Sequence, residues 1–322
     1  MNKNTLNICQ VSLARDIPII IENYKSFKKL YNTIKIFIIC PKKEINEFRK
    51  KLIFEEFNII CEDDLISPNI FFKIYKEASD KSKYKFKKQF KKRLNWYYQQ
   101  VLKITFLINF IKLKKEKIII WDSDTIILKK IIFFDGNHSI KYGSLFEFRN
   151  EYYSTNKYIL KKIPEYYISF LTQFIGITNA ECNNFLTMIF GNKKIDNKLP
   201  KKISEKIFYS IFKAHEGYND SLFSEYELLG MCNYKLKKDK QKAILFLRFR
   251  LDGKLTPTQS IISKILNFKH VTYEHSHPNK NSQGMLNRSQ SWLRFFAIIF
   301  KNFLRFHVRN IKHNILYYYN RV

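Results

Sequence analysis

Ile118-Ile119-Ile120-Trp121-Asp122-Ser123-Asp124-Thr125-Ile126-Ile127-Leu128 is the stretch that decides the fold. Two carboxylates interrupt an otherwise apolar, largely β-branched run. Apolar runs of about four to eight residues bounded by polar breaks read as buried strands, so 118–121 predicts a central strand that ends in Asp-x-Asp. Anions at the mouth of such a strand are costly to desolvate unless something positive meets them. Hard carboxylate oxygens of this kind suit a divalent cation. If the backbone stays extended, Asp122 and Asp124 project to one side, because strand side chains alternate with period two. The competing reading is a tight turn in which the aspartates cap backbone amides.

Working outward, Leu6 to Val11 reads as a first strand. Ile17 to Tyr31 reads as a helix carrying Ile20, Tyr24, Phe27 and Tyr31 at helical spacing. Ile34 to Cys40 is a second strand, Glu44 to Phe54 a helix, and Phe57 to Cys61 a third strand ended by Glu62-Asp63-Asp64. This alternation predicts an α/β fold with a largely parallel sheet, in which ligands gather outside the carboxyl ends of the strands. Further on, Leu94 opens a helix, Phe133 to Tyr142 reads as a loop, and Leu145 to Arg149 as a strand. Ser169 to Thr178 is β-like, a helix starts near Asn179, Ser221 to Cys232 is helical, and Lys269 to Tyr273 is a late strand.

With 45% hydrophobic and 16% aromatic residues over 322 positions, the chain is a folding, globular sequence and excludes a disordered one. The net charge of +30 is the footprint expected of a polyanion binder. Here, however, the lysines are spread along the whole length beside abundant Ile and Asn, so no nucleic-acid partner is expected. Residues 79–93 carry eight basic residues and one acid, which reads either as a solvated loop or as a basic lid. The cysteines (Cys9, Cys40, Cys61, Cys182, Cys232) are odd in number and widely spaced, which suits a reducing cytosol better than a disulfide scaffold or a zinc site. Neither a signal sequence nor a membrane-spanning run is evident. Trp292 to Val322 contains six basic residues and no acid, interleaved with phenylalanines. Such a helix suits the surface of an anionic bilayer, or else docks on the domain with its basic face solvated.

Three more constellations bear chemistry. On a helix, Trp96, Gln99, Gln100 and Lys103 fall at i, i+3, i+4 and i+7 and share a face. Amides serve sugar hydroxyls and an indole stacks on a sugar ring, although a polar solvent face explains the same spacing. In Asp220-Ser221-Leu222-Phe223-Ser224-Glu225-Tyr226-Glu227, Asp220 or Ser221 would cap a helix whose acids complement its dipole. Alternatively Glu225, or else Glu227 or Asp220, is a general base. His275 and His277, two apart at the end of a strand, would place one imidazole on a metal or a diphosphate, or have no role.

Taken in order, these blocks resemble bacterial glycosyltransferases that carry a domain of unknown function and occur among polysaccharide and lipopolysaccharide genes. The blocks are Arg-x-x-x-Trp-Tyr-x-Gln-Gln-x-x-Lys, Asp-Ser-Asp-Thr, Ser-Phe-x-x-Gln-Phe (169–174) and Phe-Ser-Glu-Tyr-Glu-Leu-x-Gly. The resemblance covers roughly residues 5–280. It implies a GT-A-like, Rossmann-type mixed sheet flanked by helices, a nucleotide-diphosphate sugar as donor, and Mn²⁺ or Mg²⁺. It implies the metal or donor role for Asp122 and Asp124, places Gln173 with the donor-binding residues, and puts Glu225 on the acceptor side. The expectation is therefore a glycosyltransferase domain over 1–285 and a basic amphipathic helical tail over 286–322. It would act on a cell-surface glycan or glycolipid, in the cytoplasm at the inner face of the membrane. The rivals are a nucleic-acid or polyanion binder, a metal-dependent phospho- or nucleotidyltransferase, which would bring a Gly-rich phosphate loop that this chain lacks, and a non-catalytic scaffold.

Overall fold

The run Ile118–Trp121 is a strand buried on both faces, as the inner strands of a parallel sheet are, while Phe57–Cys61 at the sheet edge is only partly buried. The computed structural model describes residues 5–82, 91–143, 149–161, 169–191, 199–215, 221–232, 241–243, 248–251 and 268–273. The first half runs β1 (Leu6–Val11), α1 (Ile17–Leu30), β2 (Ile34–Cys40), α2 (Ile45–Lys51), β3 (Phe57–Cys61), α3 (Pro68–Asp80), α4 (Leu94–Lys114) and β4 (Ile118–Trp121). Next come β5 (Thr125–Ile127), the small pair β6 (Phe134–Asp135) and β7 (His138–Ser139), β8 (Lys141–Gly143), α5 (Asn150–Leu160) and β9 (Phe174–Ile177). The remaining elements are α6 (Asn179–Phe190), α7 (Leu199–Ala214), α8 (Glu225–Cys232), β10 (Gln241–Ala243), β11 (Arg248–Leu251) and β12 (His270–Tyr273).

The central sheet has the order β3-β2-β1-β4-β9. Its first four strands are parallel, with Ile8 opposite both Ile36 and Ile119, and β9 runs antiparallel to β4, with Phe174 opposite Trp121. The protein is thus a mixed α/β structure with a parallel-dominated sheet flanked by helices. Because β2 and β3 lie on one side of β1 and β4 on the other, the strand order reverses between β1 and β4. Period-two alternation splits the strand residues between two cores: Cys9, Val11, Ile118 and Ile120 pack with α3, α4 and α6 to α8, and Ile8, Ile119 and Trp121 with α1 and α2. The central helix α4 is buried almost all round, which makes its buried Gln100 and Lys103 conspicuous.

Local chemistry sets the boundaries. Thr178 and Glu181 form a reciprocal capping box at α6: Thr178 Oγ1 accepts from Glu181 N at 3.4 Å, and Glu181 Oε2 from Thr178 N at 2.9 Å. Thr178→Ala should cost about 1 kcal/mol in a urea titration. Several expected boundaries are corrected. The helix read over 44–54 covers only Ile45–Lys51, the β-like 169–178 is a strand only over Phe174–Ile177, and the helix read from Ser221 starts at Glu225. The expected loop 133–142 holds β6 and β7 and enters β8. The basic tail over 286–322, and nearly all of the strand read over 145–149, lie outside the described residues. Among the described residues no helix is long and apolar enough to cross a membrane.

Candidate functional site

β4 delivers Asp122 to the carboxyl edge of the sheet, beside the β1/β4 reversal. In open α/β sheets that crevice is where ligands bind. The chain does not stay extended there. Thr125 N donates to Asp122 O at 3.1 Å, so Asp122 to Thr125 make a tight turn. Trp121 closes the turn from below, its Nε1 donating to Thr125 O at 2.8 Å while its ring stacks on Phe174 at 5.2 Å. The two aspartates are therefore neighbours through a turn, not through strand alternation, which corrects the extended premise. Both are partly exposed, with the Asp122 side chain at 22%.

Beneath Asp122 lies a buried cation. Lys103 Nζ donates to Asp122 Oδ1, to Glu225 Oε1 at 2.7 Å and to the Tyr226 hydroxyl oxygen at 3.4 Å. All three ammonium protons are thus used. Tyr226 in turn donates its phenol proton to Asp122 Oδ1 at 2.6 Å. Burial works against the Lys103 charge, yet Asp122 and Glu225 outweigh it and hold the ammonium above its usual pKa. For Tyr226, burial first and then Asp122 and Glu225 keep the phenol protonated far above its usual range. Gln100 Oε1 accepts from Glu225 N at 3.0 Å and seats the start of α8. Burial raises the Glu225 carboxyl, with Lys103 opposing and Asp122 adding to the shift.

Asp124 sits differently. Its Oδ1 accepts from Thr125 Oγ1 at 3.2 Å, and that hydroxyl is also 3.0 Å from Thr272 Oγ1 on β12. Burial, and then the Asp122 charge, push the Asp124 carboxyl up to about 7, with Lys103 and Thr125 opposing and Asp16 adding a little. Among the described residues, three carboxylates (Asp122, Asp124, Glu225) thus share one ammonium, that of Lys103. A divalent cation fits that deficit in charge and in donor type, and Asp122 and Asp124 are the described carboxylates placed to hold it. Among the described residues no group of three or more His, Cys, Asp or Glu forms a complete ligand set.

Glu227, read from sequence as a possible base, is 1% exposed and works as a lock. It accepts from Ser169 Oγ, and from Phe170 N at 3.1 Å. Three residues on, Gly230 leaves room for the Phe170 ring. The segment so held ends at Gln173, a non-glycine residue at φ 60° whose carbonyl accepts from Asp122 N at 2.9 Å. A left-handed residue costs about 1–2 kcal/mol, and here it fixes the amide of the first aspartate. The motifs 169–174 and 223–230 are therefore one interlocked support under Asp122.

The other expected residues spread out. Gln100 and Lys103 point into the network, whereas Gln99 and Trp96 are partly exposed, with Trp96 against Tyr97 at 5.2 Å and Arg93 at 6.0 Å. Arg93 Nη1 donates to Ser221 Oγ at 2.6 Å. Asp220, His275 and His277 lie outside the described residues. Sequence reasoning missed Tyr226, Thr125 and Asp16. Tyr226 stood inside a quoted motif, and Asp16 is the first carboxylate after β1 at the same sheet edge.

Residues 12–169 match a family of unknown function, DUF6492. Among solved structures, the chain is similar to the apo form of mouse xyloside xylosyltransferase 1, at 9% identity and a TM-score of 0.41, over 85% of this chain and 99% of that one. No curated protein matches the chain.

Proposed function

We propose that the protein is a glycosyltransferase that takes a sugar from a nucleotide-diphosphate donor and passes it to a glycan or glycolipid acceptor. The observation that carries this reading is the cation-deficient Asp122/Asp124 pair at the switch point between β1 and β4, locked from below by Lys103, Tyr226 and the 169–173 segment. A diphosphate brings further negative charge, so its binding there calls for a divalent cation, Mn²⁺ or Mg²⁺, held by Asp124 and the outer oxygen of Asp122. When bound, that ion supplies electrostatic stabilisation of the departing nucleoside diphosphate.

The chain's own groups do the rest. Lys103 and Tyr226 both bond the same Asp122 oxygen and leave Oδ2 for the ligand. Glu225, at 2% exposure and bonded to Lys103, is assigned to positioning that ammonium, in place of the general-base role suggested by its motif. Gln99, one turn before Lys103, and Trp96, a further turn back, are partly exposed and are the described residues suited to meet a sugar ring and its hydroxyls. Action at the inner face of a membrane, on a cell-surface glycan, remains part of the proposal.

Calorimetry with UDP, GDP and CMP, with and without Mn²⁺, tests it. One nucleotide should bind only when the metal is present, and Asp124→Ala should weaken that binding by at least about 100-fold. Binding that ignores both metal and mutation, or no binding at all, would overturn the assignment.

A further inference from the structure

Away from the sheet edge, the packed pair α5 and α7 turns a basic, aromatic face outward. On α7 the positions Lys202, Lys206, Tyr209 and Lys213 are spaced i, i+4, i+7 and i+11, which aligns them as one stripe. Its opposite side, with Ile203, Ile207, Phe208 and Ile211, is buried. Beside the stripe, α5 exposes Lys157 and Tyr158, with Lys161 at its end. The two tyrosines are 43% and 40% exposed, and both are covered by an ammonium: Lys213 lies 5.6 Å from the Tyr158 ring, and Lys81 5.7 Å from the Tyr209 ring. Lys81 also donates to the Tyr209 hydroxyl at 3.2 Å. The nearest carboxylate on α7, Glu205, pairs with Lys201 at 3.8 Å. Burial, and then the neighbouring Lys161 and Lys213, hold the Lys206 ammonium below its usual pKa. Lys161, Lys206 and Lys213 thus repel one another, while Glu77 and Glu205 lie on the Lys81 side of the face.

We propose that this α5/α7 face docks the protein onto an anionic bilayer. Lysines give compact point charges that answer to the diffuse negative potential of a leaflet. The cations named on this face are all lysines, without the arginine forks that grip individual phosphates in nucleic-acid sites. Half-exposed tyrosines, apolar in the ring and polar at the tip, suit the headgroup layer. The face is separate from the Asp122 site and its binding needs no nucleotide, so its failure would touch the membrane location and leave the donor reading at Asp122 intact.

The test is sedimentation of the full chain with vesicles of neutral phosphatidylcholine, and with vesicles in which about one lipid in three is phosphatidylglycerol. Binding should be confined to the anionic vesicles and should fall with added salt. Lys161→Gln, Lys206→Gln and Lys213→Gln together should lower partitioning on the order of 100-fold. The same change at exposed Lys25, Lys29 and Lys50, on α1 and α2, should alter it by less than about threefold if the patch and not total charge governs docking. Circular dichroism of both triples should match the wild type, which checks that each is folded. Equal binding to neutral vesicles, or equal loss in the two triples, would overturn the proposal. So would duplex DNA bound more tightly than anionic vesicles and released by the α5/α7 triple, because the face would then serve nucleic acid.

Discussion

Lys103→Met should destabilise the fold by roughly 3–5 kcal/mol, the usual consequence of removing one partner from a buried ion pair. Methionine keeps most of the volume, so the loss is electrostatic and not a cavity. Without the ammonium, Glu225 is a carboxylate at 2% exposure that has lost its ion-pair partner, and Asp122 keeps only the Tyr226 phenol. Glu225 then gains a proton more readily than in the wild type, where Lys103 opposes the upward shift due to burial. A carboxyl whose folded pKa lies above its unfolded value adds stability below the unfolded pKa and loses it as pH rises through the folded one. The destabilisation should therefore be larger at about pH 8 than at about pH 5. Adding Asp122→Asn and Glu225→Gln removes the stranded charges and should restore most of the stability while abolishing nucleotide binding. Urea midpoints of the single and triple variants check this. A single variant as stable as the wild type would mean that Lys103 is not the charge holding the network.

Gly230→Ala should lower stability by about 2–3 kcal/mol, against the direction set by helix propensity. In a helix interior alanine is favoured over glycine by about 1 kcal/mol, and Gly230 lies within α8. A Cβ at this position, however, would meet Phe170 at 2.2 Å from Cγ and 2.4 Å from Cδ2. The ring cannot retreat easily, because Phe170 N is bonded to Glu227 and its side chain is only 2% exposed. Overpacking of this kind typically costs 1–3 kcal/mol and at times more. The strain should spread through 169–173 to the Gln173 carbonyl that holds the Asp122 amide, so nucleotide affinity falls as well. Phe170→Leu in the same chain should recover part of both losses, with a coupling above about 1 kcal/mol in the double-mutant cycle. Independent, additive effects of the two changes would show that the contact is not the cause.

Much of the sheet is legible in the sequence. The runs 6–11, 34–40, 57–61 and 118–121 are short, apolar and β-branched, and each is a strand. Where readings overshot, backbone hydrogen bonding decided. Residues 221–224 look helical by composition, but Leu222 N is taken by the Tyr97 hydroxyl at 2.9 Å and Thr155 Oγ1 donates to Leu222 O at 2.6 Å, which leaves this segment outside the helix. Gln100 and Lys103 fell on one helix face by spacing alone. That their face was buried depended on α4 being enclosed by neighbours more than 100 positions away, such as Glu225 and Tyr226.

By itself the sequence determined the local terms: the apolar runs that become the central strands, the main helices, and that two aspartates end the strand at 118–121. These follow from side-chain periodicity and backbone sterics over a few residues. Only the tertiary structure decided which acids are reagents and which are struts. Glu225, Glu227 and Asp124 are chemically alike in the sequence. A buried ammonium claims the first, a serine hydroxyl and a backbone amide claim the second, and the third is left with one hydroxyl beside a like charge. The role of an ionisable group is set by the charge and solvent around it, and those come from parts of the chain that only folding brings together.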